Sequence, residues 1–413
     1  MTDRPAGYTL FDRWISPGAL FLGIACSFLA CCAAGRWAGR HNSLHHVERF
    51  HVYLAPESLF YPTVDQVRAL ARSRLDPAKI VVVGGGSSIL HGTCQRGPEV
   101  WTRKLQALLG DGYQVLNLGF RCAYTAEFGA VAAEVLSRDF PRLIFIADLH
   151  PGVFFPEPDG RLFKYFFWDA YFKGLLLPDA ARDARIDELA REVAAAPPPP
   201  HDPHGVQPAC REEVRAEMRL DSALHFTDLW NSLAYSRFVT VWTPLTRSSF
   251  ARPRRHYPDP DPGAPAPAKG YAPGDNGRWM EMLRAEIAHR CVRDGRNHWV
   301  EDDRSGTWAE FDRAARASFP AAARARTLLL VMWYSPHYLD QLSAPERACH
   351  DAVSRLSAAH LEGLGFRALE IGPGLSASDY GDCQHLVESG GAKLAAAVAP
   401  QVRGLARRLG YLK

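Results

Sequence analysis

The sequence predicts an α/β protein: an open parallel sheet with helices on both faces, a large and mostly helical insertion, and one N-terminal transmembrane helix. Three observations predict it. Short all-apolar, β-branched runs alternate with amphipathic or Ala-rich segments, as buried parallel strands alternate with crossover helices. About 175 residues between the third and fourth runs break the alternation, far more than an ordinary strand-to-helix connection. Residues 15–34, ISPGALFLGIACSFLACCAA, are uncharged over roughly the 20 positions a helix needs to cross a hydrocarbon core.

Residues 1–40 therefore read as a membrane anchor. Ala33, Ala34 and Gly35 after the run leave a cleaved signal sequence as the alternative, although such apolar cores are shorter, about 7 to 15 residues. Arg4 and Arg13 precede the run while Arg36 and Arg40 follow it, so orientation stays open. Residues 41–78 form a juxtamembrane linker and a helix over 64–74. The linker holds His41, His45, His46 and His51, but no carboxylate or cysteine joins them at a ligand spacing, which favours a solvated segment over a metal site.

Residues 79–151 form the first half of the sheet domain. KIVVVGGGSS (79–88) is a buried strand ending in a tight turn, 100–109 a helix, QVLNLG (114–119) a strand, 125–137 an Ala-rich helix and LIFIADL (143–149) a third strand. The insertion covers 152–325. It contains the aromatic run FKYFFWDAYF (163–172), a proline run at 197–200, a helix over 211–220, the apolar-aromatic stretch LWNSLAYSRFVTVW (229–242) and a Pro-rich loop near 252–273. The aromatic stretches either line a groove or pack the insertion onto the sheet or the membrane surface. Residues 326–413 complete the domain: TLLLVMWY (327–334) as a strand, 344–361 as a helix, FRALEI (366–371) as a strand and 389–409 as a closing helix.

The chain has 413 residues with 47% hydrophobic content, enough to bury at least one full core. Its 48 basic and 45 acidic residues leave a net charge of +3 spread along the chain, which argues against nucleic-acid binding. Nine cysteines show no CxxC or His-paired metal spacing, and they leave the redox compartment open.

In an open parallel sheet, ligands meet the carboxyl ends of the strands. The first strand ends there at GGGSSILHG (84–92). A serine on such a turn exposes its hydroxyl and sets its own N–H beside an attacked carbonyl. No lysine follows as in a phosphate-binding loop, and no ribose-binding acidic residue can be assigned, so a nucleotide-binding protein is the least favoured reading. Asp382-Cys-Gln-His385 lies between the last strand and the last helix. A serine needs a base and the base needs an orienting partner, and an Asp three residues before a His on a turn serves both needs. The rival reading makes Asp382 a cap for the closing helix and His385 a surface residue.

These blocks, in this order, resemble the SGNH (GDSL-like) hydrolase superfamily. Gly86-Ser87-Ser88-Ile89-Leu90-His91-Gly92 resembles GDSxxxG with Ser87 in place of the Asp and Ser88 as nucleophile. Asn117-Leu118-Gly119-Phe120-Arg121-Cys122 resembles NxGxxG with Cys122 in place of the second glycine. The Asp382–His385 block followed by Leu386 matches DxxHL. The third block departs: Ile146-Ala147-Asp148-Leu149-His150-Pro151 has no Asn where GxND would place one. The resemblance implies a three-layer, flavodoxin-like sheet and a Ser88, His385 and Asp382 triad without metal or cofactor. It implies an oxyanion hole from Ser88, Gly119 and Cys122, with Ser87, Asn117, Arg121 and His150 in support. It also implies a serine esterase or O-acyltransferase acting on acyl groups, chiefly acetyl, of an envelope or extracellular glycan or another small ester, with the domain held outside the cytoplasm by its anchor. The missing Asn and Cys122 motivate the alternative, a catalytically inactive scaffold in a membrane-associated assembly.

Overall fold

A computed structural model of the chain describes residues 17–41, 62–96, 99–119, 129–149, 163–195, 212–237 and 307–412, with short pieces at 53–55, 58–59, 281, 292–293 and 296–297. The N-terminal helix α1 (Pro17–Arg40) and α2 (Val64–Arg74) precede the sheet. Then come β1 (Ile80–Gly86), the short α3 (Ser88–His91), α4 (Trp101–Leu109), β2 (Tyr113–Gly119), α5 (Gly129–Leu136) and β3 (Leu143–Leu149). The described part of the insertion is mostly helical, as expected: α6 (Phe163–Phe172), α7 (Ala180–Ala195), α8 (Glu212–Leu224), α9 (Phe226–Arg237) and α10 (Thr307–Ser318). The chain closes with β4 (Thr327–Met332), α11 (Ala344–Gly363), β5 (Arg367–Ile371) and α12 (Glu388–Arg408).

The five strands pair side by side in the order β2-β1-β3-β4-β5, every pair parallel. Because side chains alternate across a strand, each apolar run feeds two cores. Val81, Val83, Phe145, Ala147, Leu329 and Val331 pack with α2, α5, α6 and α11 on one face, while Ile80, Val82, Ile144, Ile146, Leu328 and Leu330 pack with α4 and α12 on the other. Continuous β-branched strands are what a sheet covered on both faces requires. The all-parallel arrangement also gathers the ends of β1, β2 and β3 along one edge, which places the functional site.

Expected boundaries differ by a few residues for local reasons. β4 stops at Met332 although the apolar run continues to Tyr334: the Trp333 N–H makes the last ladder bond, to the carbonyl of Ile371 at 2.7 Å, and the Ser335 N–H then donates to the Cys383 carbonyl at 2.8 Å. α2 starts at a capping box, with the Thr63 side chain accepting from the Gln66 N–H and the Gln66 side chain accepting from the Thr63 N–H. The run at 163–172 forms α6, and its Phe166, Phe167 and Trp168 are buried in the core under the sheet, so packing is what they do. Residues 238–242 of the second aromatic stretch, the proline run and the Pro-rich loop lie outside the described residues. Cys349 is disulfide-bonded, whereas Cys26, Cys31, Cys32, Cys94 and Cys383 are free thiols.

α1 is long and apolar enough to span a membrane. Leu20, Phe21, Leu22, Ile24 and Leu29 along it are all exposed.

Candidate functional site

The glycines closing β1 lead into Ser87, which caps α3: its Oγ accepts the Ile89 N–H at 3.1 Å. Ser88 thus occupies the first helical position, where an N–H has no intrahelical acceptor, and the Ser88 N–H has no acceptor among the described residues. The Ser88 carbonyl accepts from both the N–H and the Oγ–H of Thr93, at 3.3 and 3.0 Å.

Ser87 is itself held by Asp148 at the end of β3. The carboxylate accepts the Ser87 N–H at 3.0 Å, and the Ser87 hydroxyl donates to its second oxygen. Asp148 is a site residue that no motif in the sequence marks. The available signal was a lone carboxylate inside an otherwise apolar strand, where a buried charge needs partners.

His385 arrives from the loop between β5 and α12. Gln95 ties that loop to the first half of the domain, since its Nε2 donates to the Leu386 carbonyl at 3.0 Å while its Oε1 accepts the Trp101 N–H at 2.8 Å. Within the loop, Asp382 Oδ1 accepts the N–H groups of Gln384 and His385 at 2.9 and 2.8 Å. Its Oδ2 lies 2.6 Å from His385 Nδ1, and His385 Nε2 lies 2.6 Å from Ser88 Oγ. An ionised carboxylate only accepts, so Nδ1 carries the ring proton and Nε2 presents a lone pair to the Ser88 hydroxyl. Burial alone would raise the Asp382 carboxyl, but the hydrogen bond from His385, its charge and the two backbone donors outweigh burial and hold the group below the ordinary carboxylate range. His385 is only 13% exposed, and α12 begins at Glu388 with Val387 in the cap position. Asp382 therefore turns to the imidazole rather than capping the helix.

The chain Ser88, His385 and Asp382 thus joins positions 297 residues apart in sequence. The other expected site residues divide. Asn117 supports the turn: its Nδ2 donates to the carbonyls of Leu90 and His91 at 3.2 and 3.4 Å, closing the end of α3. Gly119, expected in the oxyanion hole, donates its N–H to Asn117 Oδ1 at 2.9 Å. A Cβ at 119 would lie 2.3 Å from the His91 nitrogen, so this glycine is needed for the close approach of β2 to α3, and its amide is engaged within the strand end. Arg121, Cys122 and His150 lie outside the described residues.

Among the described residues, two groups of side chains converge closely enough to hold a cation. Cys94, Asp382 and His385 form one, but both nitrogens of His385 are already engaged in the triad. Asp65, His225 and Asp228 form the other, and there Lys173 supplies the positive charge: its ammonium lies 2.8 Å from Asp65 and 2.9 Å from Asp169. Burial pulls the Lys173 pKa down, but Asp169, Asp228 and Asp65 more than offset it and raise the group above ordinary lysine.

Comparison with protein-family models and with characterised proteins finds no match, so any chemical reading of the site rests on the geometry above.

Proposed function

We propose that the protein is a membrane-anchored serine esterase or O-acyltransferase of the SGNH type, with Ser88 as nucleophile, His385 as general base and Asp382 as its orienting partner. The observation that carries this reading is the unbroken hydrogen-bond chain of two 2.6 Å links from Ser88 Oγ through His385 to Asp382. The strand order β2-β1-β3-β4-β5, the flavodoxin-like arrangement, supports it, as does the placement of both loops at the carboxyl end of the sheet.

His385 Nε2 takes the Ser88 proton as Oγ bonds to the acyl carbon, and the carbonyl electrons move onto oxygen. The Ser88 N–H donates to that oxyanion. Collapse expels the alcohol, which leaves with the proton from His385, and an acyl-Ser88 ester remains. Water, or the hydroxyl of an acceptor, then gives its proton to His385 and attacks the ester. Ser88 departs and recovers the proton. Asp382 stays ionised throughout, consistent with its depressed pKa.

Ester-linked acyl groups, chiefly acetyl, on an envelope or extracellular glycan are the proposed substrates. The disulfide at Cys349 supports an oxidising, extracytoplasmic side for the domain. The scaffold reading draws on the third block, 146–151, which has no Asn, and in which the Asp148 carboxylate is bound to Ser87. Hydrolysis of p-nitrophenyl acetate by the full chain in detergent, before and after Ser88→Ala, decides between them. The triad reading expects loss of the activity and of fluorophosphonate labelling. Equal rates in both proteins remove Ser88 as nucleophile.

A further inference from the structure

α1 does not leave the membrane as a free tether. Its last turns pack into the protein: a Cβ at Gly35 would lie 2.1 Å from the His225 carbonyl oxygen, and one at Gly39 would lie 2.7 Å from the Asp228 carboxyl carbon. These small residues seat α1 directly against the start of α9. The ring of Phe226, the first residue of α9, meets Phe28 of α1 edge-on with centroids 5.5 Å apart. Phe28 lies six residues before the end of the uncharged run at Ala34, about 9 Å along a helix. A run of this length must lie in hydrocarbon almost entirely if it is to cross a bilayer, so the Phe226 ring reaches hydrocarbon depth while the backbone at the start of α9 sits at Gly35 and Gly39, just beyond the run.

The inner face of α9 is fixed by polar contacts. Asp228 and Asn231 are 1% and 4% exposed. Thr63 donates to Asp228, Gln66 Nε2 donates to the Asp228 carbonyl at 3.1 Å, and Asn231 Nδ2 donates to Gln66 Oε1 at 3.1 Å. The outer face carries Trp230 and Leu233, three residues apart and 67% and 59% exposed, and the preceding α8 adds Leu220 at 61%. The bilayer beside a spanning helix offers an apolar partner to side chains held outward in this way, and tryptophan favours the headgroup boundary.

We infer that α9, with Leu220 of α8, is a second membrane-contacting element, whose Trp230 and Leu233 enter the lipid interface beside α1 and fix the catalytic domain against the bilayer. The inference rests on the reading of α1 as an anchor and is independent of the triad. The test uses the full chain in proteoliposomes with Cys26, Cys31 and Cys32 replaced by alanine. A nitroxide is then placed singly at Trp230→Cys or Leu233→Cys, with Leu22→Cys in α1 and Leu108→Cys in α4 as references. Collision of each label with oxygen and with a water-soluble nickel chelate is measured. The expected result is that both α9 sites leave the aqueous ratio of the Leu108→Cys label for a more oxygen-rich one, between it and the ratio of the Leu22→Cys label. An aqueous ratio at 230 and 233 overturns the inference while leaving the anchor intact. Protection from both probes overturns it in favour of a protein partner. An aqueous Leu22→Cys label removes the anchor reading and the inference together.

Discussion

Asp382→Asn separates two roles that the structure assigns to one side chain. Oδ1 closes the loop by accepting the backbone N–H groups of Gln384 and His385, whereas Oδ2 accepts from the imidazole. The amide keeps an oxygen for the first role and replaces the second acceptor with an NH2 donor. His385 then meets that donor with an unprotonated Nδ1, its proton moves to Nε2, and Ser88 faces a donor where it needs an acceptor. The loss of one charge-assisted hydrogen bond lowers stability by about 1 to 2 kcal/mol. The wrong tautomer lowers kcat by about three to four decades, as it does in serine proteases, or about 4 to 5.5 kcal/mol of barrier. The assay pairs kcat and KM for p-nitrophenyl acetate with thermal unfolding of the same preparation. A variant that keeps kcat within twofold of the parent refutes the assigned tautomer, and one that loses kcat only in proportion to unfolded protein refutes the separation of roles.

Three further outcomes follow from contacts away from the hydroxyl. Ser87→Asp, which restores the motif of the resembled family, sets two carboxylates side by side at Asp148 and is expected to lower kcat by at least tenfold; adding Asp148→Asn recovers most of the loss in the same esterase assay. Glu134→Leu removes the carboxylate that the buried Arg182 guanidinium meets at 2.8 Å, with side chains 3% and 2% exposed, and costs about 3 to 5 kcal/mol in denaturant unfolding, of which Arg182→Leu in addition restores a large part. Asp379 is nearly buried: burial raises its carboxyl, but donors from Lys393, Ser376 and Ser389 hold it at about 2. Its folded pKa is depressed, so its contribution of about 2 kcal/mol is present above the ordinary carboxylate pKa and is lost as pH falls from about 4 toward 2. Asp379→Asn flattens acid unfolding across that window.

The sheet was legible because its three inner strands, β1, β3 and β4, are buried on both faces, which writes an uninterrupted apolar run such as IVVV at 80–83 or TLLLVM at 327–332. The Ser88 and His385 pairing was legible for a related reason: parallel strands put the ends of β1 and β5 at one edge, so two loops far apart in sequence are directed to the same place. The supporting contacts were not legible. Gln95 reaches the Leu386 carbonyl across 291 positions, and no local spacing encodes a side chain whose partner is a backbone carbonyl in another loop. The engagement of Gly119 was illegible for the opposite reason. Its motif position suggested an oxyanion donor, but the nearness of Asn117 Oδ1, two residues back, captures the amide, and such a local hydrogen bond is invisible until the backbone path is known.

Asp148 and Ser87 look in sequence like two separate departures from one motif, and in space they are a single contact. The resembled motif carries its carboxylate beside the nucleophile; here that carboxylate stands at the end of β3 and reaches position 87 from the neighbouring strand. A serine at 87 can donate to Asp148 through its hydroxyl and still accept the Ile89 N–H that starts α3. An aspartate there has no proton to give at neutral pH and would oppose the buried Asp148 charge. The exchange preserves what the turn requires, a fixed acceptor that caps the helix bearing Ser88. It consumes the third-block side chain in doing so, since an acceptor-only carboxylate cannot donate to an oxyanion. Among the described residues, transition-state stabilisation then falls on backbone amides, with the Ser88 N–H first among them. In this proposal the triad is intact while the oxyanion site is weakened, which makes a slow hydrolase or a transferase with a tightly positioned acceptor the chemistry that best fits the turn.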